Sequence, residues 1–76
     1  MENYTFDHLI QDLNSGYNIY FTYMDNRYIL SKVAENAYAQ ELLTIKEKSP
    51  HPKMNIISLK VIKENFKHMT DFEYAV

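Results

Sequence analysis

This chain of 76 residues has no cysteine and no tryptophan, a single glycine, two prolines and a single arginine. Without cysteine it can form neither a disulfide nor a thiolate metal site, so packing or self-association has to stabilise a domain of this size. One glycine is too few for a glycine-rich phosphate loop. No apolar run approaches the roughly 20 residues of a membrane helix, and the first residues lack the basic flank and apolar stretch of a signal peptide. We therefore expect a cytoplasmic protein that does not enter a membrane.

The chain also lacks a recognisable set of catalytic or metal-binding residues. Its only soft metal ligands, His8, His51 and His68, show none of the spacings of a metal motif, so we interpret them as surface or helix-cap residues. No serine stands in a nucleophile-elbow sequence, and the acidic residues are scattered singly rather than paired. We expect no enzymatic activity, no metal and no cofactor.

The composition nevertheless predicts a folded core. Hydrophobic residues make up 46% of the chain and aromatic residues 14%, which favours one compact domain over residues 1–76. The net charge of −2 is too small to indicate a nucleic-acid-binding protein by itself. Asparagine, lysine, isoleucine and tyrosine each occur seven times. Because these residues use A/T-rich codons, we infer that the source is a low-GC bacterium, or a phage or plasmid of one.

The segment 17–33 predicts a β-hairpin, because aromatic and β-branched residues dominate both of its halves. Asp25 and Asn26 tolerate the left-handed backbone of a tight turn, so they are the predicted turn residues. This register would set Tyr23 opposite Tyr28.

The predicted register also divides the hairpin into two faces, since directly opposed residues lie on the same side of a sheet. It sets Ile19 opposite Lys32. The first face is apolar: Tyr17, Ile19, Phe21, Tyr23, Tyr28 and Leu30. The second face is mixed: Tyr20, Thr22, Met24, Arg27, Ile29, Ser31 and Val33. We expect the tyrosines of the first face to be core residues whose hydroxyls reach water.

The flanking segments predict the rest of an α+β fold. Residues 5–14 carry one apolar stripe at helical spacing, with Thr5 as N-cap and Gly16 at the C-terminal end. Residues 34–43 fit a helix, or a turn followed by a third strand over about 38–46, and we prefer the strand because it covers an edge of the hairpin. Prolines predict a loop over 48–53.

The last part of the chain predicts a strand and a second helix. Residues 54–59 read as a strand antiparallel to the third, and Ser58 can cap a helix over about 59–69. The tail, 70–76, fits either an edge strand or a frayed helix end. The predicted architecture is therefore a helix, an antiparallel meander of three to four strands and a second helix, with the helices on one face of the sheet and the other face partly open.

Seven tyrosines are the most distinctive feature of the composition, and tyrosine is enriched at the hot spots of protein interfaces. Because the helices are expected on the other face, Tyr20, Met24, Arg27 and Ile29 are the candidate partner-binding residues. We predict a non-enzymatic protein-interaction module. Its small size, lack of catalytic motifs and low-GC composition resemble the accessory proteins of bacteriophages and mobile elements that bind and occlude host proteins, although no sequence motif carries this resemblance.

Two alternatives use other surfaces. Lys60, Lys63 and Lys67 form one stripe of the predicted second helix, which could follow a phosphate backbone while a tyrosine stacks on bases. This predicts a small nucleic-acid-binding regulator, although a single arginine argues against specific phosphate or base recognition. The other alternative is a homodimer in which the open sheet faces of two copies pack together.

Overall fold

The computed structural model describes residues 3–43 and 54–75 and has the predicted α+β class. In chain order the elements are helix α1, Phe6–Asn14; strands β1, Asn18–Tyr23, β2, Asn26–Ala34, β3, Ala37–Leu42, and β4, Met54–Ile57; helix α2, Leu59–Asn65; a 3₁₀ helix, Phe66–His68; and strand β5, Thr70–Ala75. None of the helices in these ranges is both long and apolar enough to cross a membrane.

The strands form one antiparallel sheet in the order β4-β3-β2-β1-β5. The first four are the predicted meander, which confirms a strand rather than a helix after β2. The chain then passes through α2 and returns to the opposite edge, where β5 pairs with β1. The tail is therefore a strand. The predicted extension of β3 to residue 46, the proline loop at 48–53 and His51 lie outside the described residues.

Both helices begin at the predicted N-cap residues. The Thr5 side chain accepts a hydrogen bond from the backbone of His8, and the His8 ring in turn accepts one from the backbone of Thr5, at 3.2 and 3.5 Å. Ser58 accepts a hydrogen bond from the backbone of Val61, at 3.4 Å. The first helix ends where Gly16 adopts a φ of 92°, a conformation that is easy only for glycine. The second helix is shorter than predicted, because the chain changes to a 3₁₀ turn at Phe66.

Among the described residues, one cluster of buried side chains lies between the helices and one face of the sheet. Leu9 and Leu13 from α1 and Ile62 from α2 are fully buried there against Ile19 and Phe21 of β1. The remaining buried members are Leu30, Tyr38, Met69 and Phe72. We call the opposite side of the sheet the open face, because the core residues of both helices lie on the other side.

The turn of the first hairpin lies one residue earlier than the sequence predicts. Met24 and Asp25, with φ of 49° and 64°, form the turn in place of Asp25 and Asn26, and Tyr23 pairs with Asn26. The Asn26 amide donates to the Met24 carbonyl at 3.2 Å and so stabilises the turn.

The core explains this register. It sets Phe21 opposite Tyr28, with ring centroids 5.3 Å apart and nearly parallel planes. It also sets Ile19 opposite Leu30 instead of opposite Lys32, which keeps a charge out of the core. Each residue's partner is displaced by two positions from the predicted one, so the division into two faces is unchanged, because side chains alternate with a period of two. Met24 leaves its predicted face, since it lies in the turn.

Replacing the turn residues by Asn-Gly, with Met24→Asn and Asp25→Gly, should stabilise the protein. Both positions have positive φ, which asparagine and glycine adopt more easily than methionine and aspartate. We expect the free energy of unfolding to rise by about 1 kcal/mol in urea titrations. Met24→Ala keeps the unfavourable backbone and removes a side chain that is 74% exposed, so it should change little. An Asn-Gly variant less stable than the wild type would contradict this account of the turn.

Candidate partner-binding surface

One continuous row of side chains crosses the open face from edge to edge. Tyr20 of β1 pairs with Glu73 of β5 on one side and with Ile29 of β2 on the other. The row continues through Glu41 of β3 to Met54 of β4. Because directly opposed residues share a side of the sheet, these five side chains are neighbours on one surface. Its centre is apolar and aromatic, and a carboxylate stands on either side of the Tyr20–Ile29 pair.

The apolar part of the open face widens towards β4. Ala39 is paired with Ile56 and is buried by its neighbours, whereas Ile56 and Met54 expose 59% and 58% of their surface. Tyr20 and Ile29 are half-buried. Exposed aliphatic side chains beside a half-buried tyrosine form the kind of apolar patch that marks interaction sites in small proteins.

The only arginine of the chain stands beside this row and holds three strands together. From β2, the Arg27 guanidinium donates to the Thr22 hydroxyl of β1 at 2.9 Å and to the Asp71 carbonyl of β5 at 2.6 Å. It also forms an ion pair with Glu73, at 3.1 Å, and lies 5.7 Å from the centre of the Tyr20 ring. Because it is fixed from several directions, Arg27 acts first as a structural residue that orients Tyr20 and fastens β5.

The structure brings the predicted partner-binding residues together only in part. Tyr20 and Ile29 are cross-strand neighbours, and Arg27 is next to Tyr20. Met24 is highly exposed but lies in the turn at the end of the hairpin. Met54 and Ile56 of β4 also lie on the open face but are not among the predicted partner-binding residues. Met54 and Ile56 are two positions apart in a short strand, which indicates that they share a face. Which face this is follows only from the pairing of β4 with β3.

The predicted lysine stripe belongs to the helix layer of the molecule. Lys60 and Lys63 lie on α2, Lys67 lies in the 3₁₀ helix, and all three are exposed. The same helix buries Ile62 in the core, on the side of the sheet away from the open face. The lysines and the Tyr20–Ile29 pair are therefore on separate surfaces.

A second polar group fastens β5 from the side of the helices. One carboxylate oxygen of Asp12, on α1, accepts hydrogen bonds from the hydroxyls of Tyr4 at 2.6 Å and Tyr74 at 3.0 Å. Burial and this hydrogen bond raise the pKa of Tyr4 far above its usual value, and the hydrogen bond to Asp12 raises the pKa of Tyr74. Tyr17, expected in the core, is instead exposed and its ring lies 5.2 Å from that of Tyr74.

The histidines within the described ranges have local structural partners. His8 takes part in the N-terminal cap of α1, as predicted for a cap residue, and stacks near Tyr4. His68 is exposed and approaches the ring of Tyr23 edge-on, at 6.4 Å. Among residues 3–43 and 54–75, no three histidine or acidic side chains are grouped so that they could hold a metal ion.

No protein-family model, curated protein or solved structure matches this chain.

Replacing Arg27 should loosen β5 more than breaking its ion pair does. Arg27→Ala removes the hydrogen bonds to Thr22 and Asp71, so we expect it to lower the free energy of unfolding by about 1–2 kcal/mol. Glu73 is 70% exposed, and an exposed ion pair contributes little, so Glu73→Gln should cost less than about 0.5 kcal/mol. Hydrogen exchange of the β5 amides should be faster in the Arg27→Ala protein. Equal effects of the two substitutions would contradict this assignment.

The tyrosine–aspartate contacts predict a loss of stability at alkaline pH. The pKa of Tyr4 is raised in the folded state from its usual 10.0, so folding favours the protonated hydroxyl. The stabilisation is complete below the unfolded pKa, near 10, and is lost as the pH rises above it, because the unfolded chain then releases its proton while the folded chain keeps it.

Thermal unfolding of the wild type and of Tyr4→Phe measures this effect. Phenylalanine keeps the ring contact with Phe72, whose centroid is 5.0 Å away, but loses the hydrogen bond and the ionisable group. We expect the variant to melt at a lower temperature near neutral pH, and the difference from the wild type to shrink above about pH 10. A difference that stays constant with pH would show that the Tyr4 hydroxyl does not contribute in this way.

Proposed function

We propose that this protein is a binding module that docks its open face on a protein partner and acts by covering the partner's surface. One observation carries the proposal: Tyr20 and Ile29 form the centre of a sheet face that continues to the exposed Met54 and Ile56, while the core residues of both helices pack on the other side. Covering a surface requires only shape and contact, so this function needs no catalytic group.

The preorganisation of Tyr20 supports this role. The guanidinium of Arg27 lies over its ring, and the same guanidinium is bonded to Thr22 and Asp71. A tyrosine held in one orientation loses little conformational freedom on binding, which favours its use as an anchor. Ile29 on the neighbouring strand extends the anchor with an aliphatic side chain.

The charges of the open face indicate the chemistry of the partner. Glu41 and Glu73 stand on either side of the Tyr20–Ile29 pair in the cross-strand row. Glu73 is ion-paired with Arg27, so the three groups together carry a net charge of −1. An apolar centre beside a net negative charge is complementary to an apolar protrusion that carries a lysine or arginine. The same net charge disfavours a phosphate backbone, which supports a protein rather than a nucleic acid as the ligand of this face. Binding of host proteins by a phage or mobile-element product is one setting for such a module.

The nucleic-acid alternative would have to use the helix layer. Lys60, Lys63 and Lys67 are exposed there, but they do not share a surface with Tyr20. Recognition of single-stranded nucleic acid combines basic residues with stacking aromatics. Tyr23 lies on the helix side of the sheet and approaches His68, but its ring is partly buried against the core. The lysines are therefore separated from the more open Tyr20–Ile29 pair, which favours the protein partner, and the lysine stripe provides a control for the test.

Capture from a low-GC bacterial lysate, with and without nuclease treatment, tests the proposal. We expect a discrete protein band that survives nuclease with the wild type and is lost with Tyr20→Ala and with Ile29→Asp. Each substitution removes an anchor of the open face, so binding should fall at least tenfold, the equivalent of about 1.4 kcal/mol. Circular dichroism and thermal unfolding of both variants establish that the fold is retained.

The matched control replaces Lys60, Lys63 and Lys67 together by glutamine. This variant changes only the exposed helix layer, so it should capture the same band as the wild type. Folded Tyr20→Ala and Ile29→Asp proteins that still bind fully would exclude the open face as the site. Material that disappears with nuclease and with the triple lysine variant would instead assign nucleic-acid binding to the helix layer.

A further inference from the structure

The two edges of the sheet differ in how well they are protected against pairing with another strand. Exposed edges are usually blocked by charged residues, bulges or covering side chains. At one edge, β5 contains Asp71 and Glu73, and its register with β1 shifts near Thr22. Asp71 has a φ of 54°, and Arg27 reaches over to its carbonyl. These features block the β5 edge.

The opposite edge, β4, carries none of these protective features in its sequence or register. The strand Met54–Ile57 has no charged residue, proline or glycine, and its register with β3 is regular. Within the described part of the chain β4 pairs with β3 alone. Among residues 3–43 and 54–75, no strand pairs with the outer backbone groups of β4, and such groups need hydrogen-bonding partners when water is displaced. This edge is suited to accept an added strand.

We propose that β4 pairs in antiparallel orientation with β4 of a second copy of this chain, with Asn55 opposite the second copy's Asn55. A two-fold axis perpendicular to the sheet then passes between the two asparagines. Directly opposed residues lie on the same side of a sheet, so Met54 meets the second copy's Ile56 on the open face, and Ile56 meets its Met54. The exposed aliphatic side chains of the edge thus form two apolar cross-strand pairs.

Charge favours a second copy as the occupant of this edge. In a strand pair related by a two-fold axis, each residue faces a residue of the equivalent strand in the second copy. A charged strand is therefore set against the like charges of its copy. Self-pairing of β5 about Phe72 would set Asp71 against the second copy's Glu73, which is repulsive. Self-pairing of β4 brings no charges into opposition, because the strand is Met-Asn-Ile-Ile. The edge that lacks a second strand partner among the described residues is thus also the edge whose self-pairing opposes no charges.

The pairing would also extend the open face. A two-fold axis perpendicular to the sheet leaves the open faces of both copies on the same side. Met54 and Ile56 belong both to the open face and to this edge. Sedimentation of the chain alone measures self-association in the absence of a partner, whereas Tyr20→Ala and Ile29→Asp test the partner site, so each proposal can fail separately.

Sedimentation measurements over a range of concentrations test the association. We expect a monomer of 9.1 kDa that becomes a dimer of twice that mass as the concentration rises, between about 10 μM and about 1 mM for so small an interface. Ile56→Lys should weaken the dimer at least tenfold, because it introduces two like charges at the strand pair. Met54→Lys, at another exposed position of the same strand, is the second variant should the first one fail to fold.

Val33→Lys is the matched control for the charge substitution. Val33 is β-branched, lies in a strand and is 55% exposed, which is close to the 59% of Ile56, but it belongs to β2 rather than to the edge. It should leave the dimer intact. A wild type that stays monomeric throughout the range, or a dimer that resists both lysine substitutions in β4, would overturn the proposal. A dimer dissociated by Ile29→Asp and not by Ile56→Lys would also overturn it, because the open faces would then be the interface.

Cysteine cross-linking tests the register. Because the chain has no natural cysteine, any disulfide that forms must join the introduced residues. Directly opposed residues of antiparallel strands have Cα atoms about 4.5–5.5 Å apart, within the range that a disulfide spans. Under mild oxidation, Asn55→Cys should form a disulfide-linked dimer, whereas Val33→Cys should remain monomeric on a non-reducing gel. Cross-linking through Ile56→Cys in preference to Asn55→Cys would overturn the proposed register.

Discussion

The rest of the structure depends on the burial of one side of β1. Ile19 and Phe21 of this strand are fully buried, and Leu9 and Leu13 of α1 and Ile62 of α2 complete the same core. The strands on either side of β1 contribute Leu30 and Phe72 to it. The described helices place their core residues on this one side of the sheet. The opposite side is thereby left as a surface, and its character is decided by the residues that alternate with the core residues.

Polar contacts hold the last strand on both sides of the sheet. On the open face, Arg27 bonds to the backbone of Asp71, and on the helix side Asp12 accepts a hydrogen bond from Tyr74. Strand β5 is an edge strand at the end of the described chain, where fraying is easiest. Because side-chain contacts fasten it from two directions, β5 is held in place beside β1, and its own charges and irregular register oppose further pairing. The sheet is left with one protected edge, β5, and one edge, β4, that lacks charge.

The two faces of the hairpin were predictable because the side chains of a strand alternate between its two sides, so a residue's side depends only on whether its position in the strand is odd or even. The predicted turn lies one residue later than the observed turn, because methionine is an unusual residue at a positive φ and Met24 occupies such a position. Because the partners are displaced by two positions, the residues paired between β1 and β2 keep their predicted faces. The predicted register therefore assigns Tyr20 and Ile29 to the face on which the structure has them, although it gives each of them the wrong cross-strand partner. Their surroundings were not predictable, because β4 and β5 come from distant parts of the chain.

By itself the sequence determined the elements whose signals are local: the cap residue Thr5, the stripe of α1, the alternation of β1 and β2, and the cap of α2 at Ser58. These signals act between residues a few positions apart, so they can be read along the chain. Only the tertiary structure decided that the tail becomes a strand beside β1 and that Met54 joins the row of Tyr20. Both outcomes are long-range pairings, and they depend on which buried surfaces and hydrogen bonds the assembled sheet makes available.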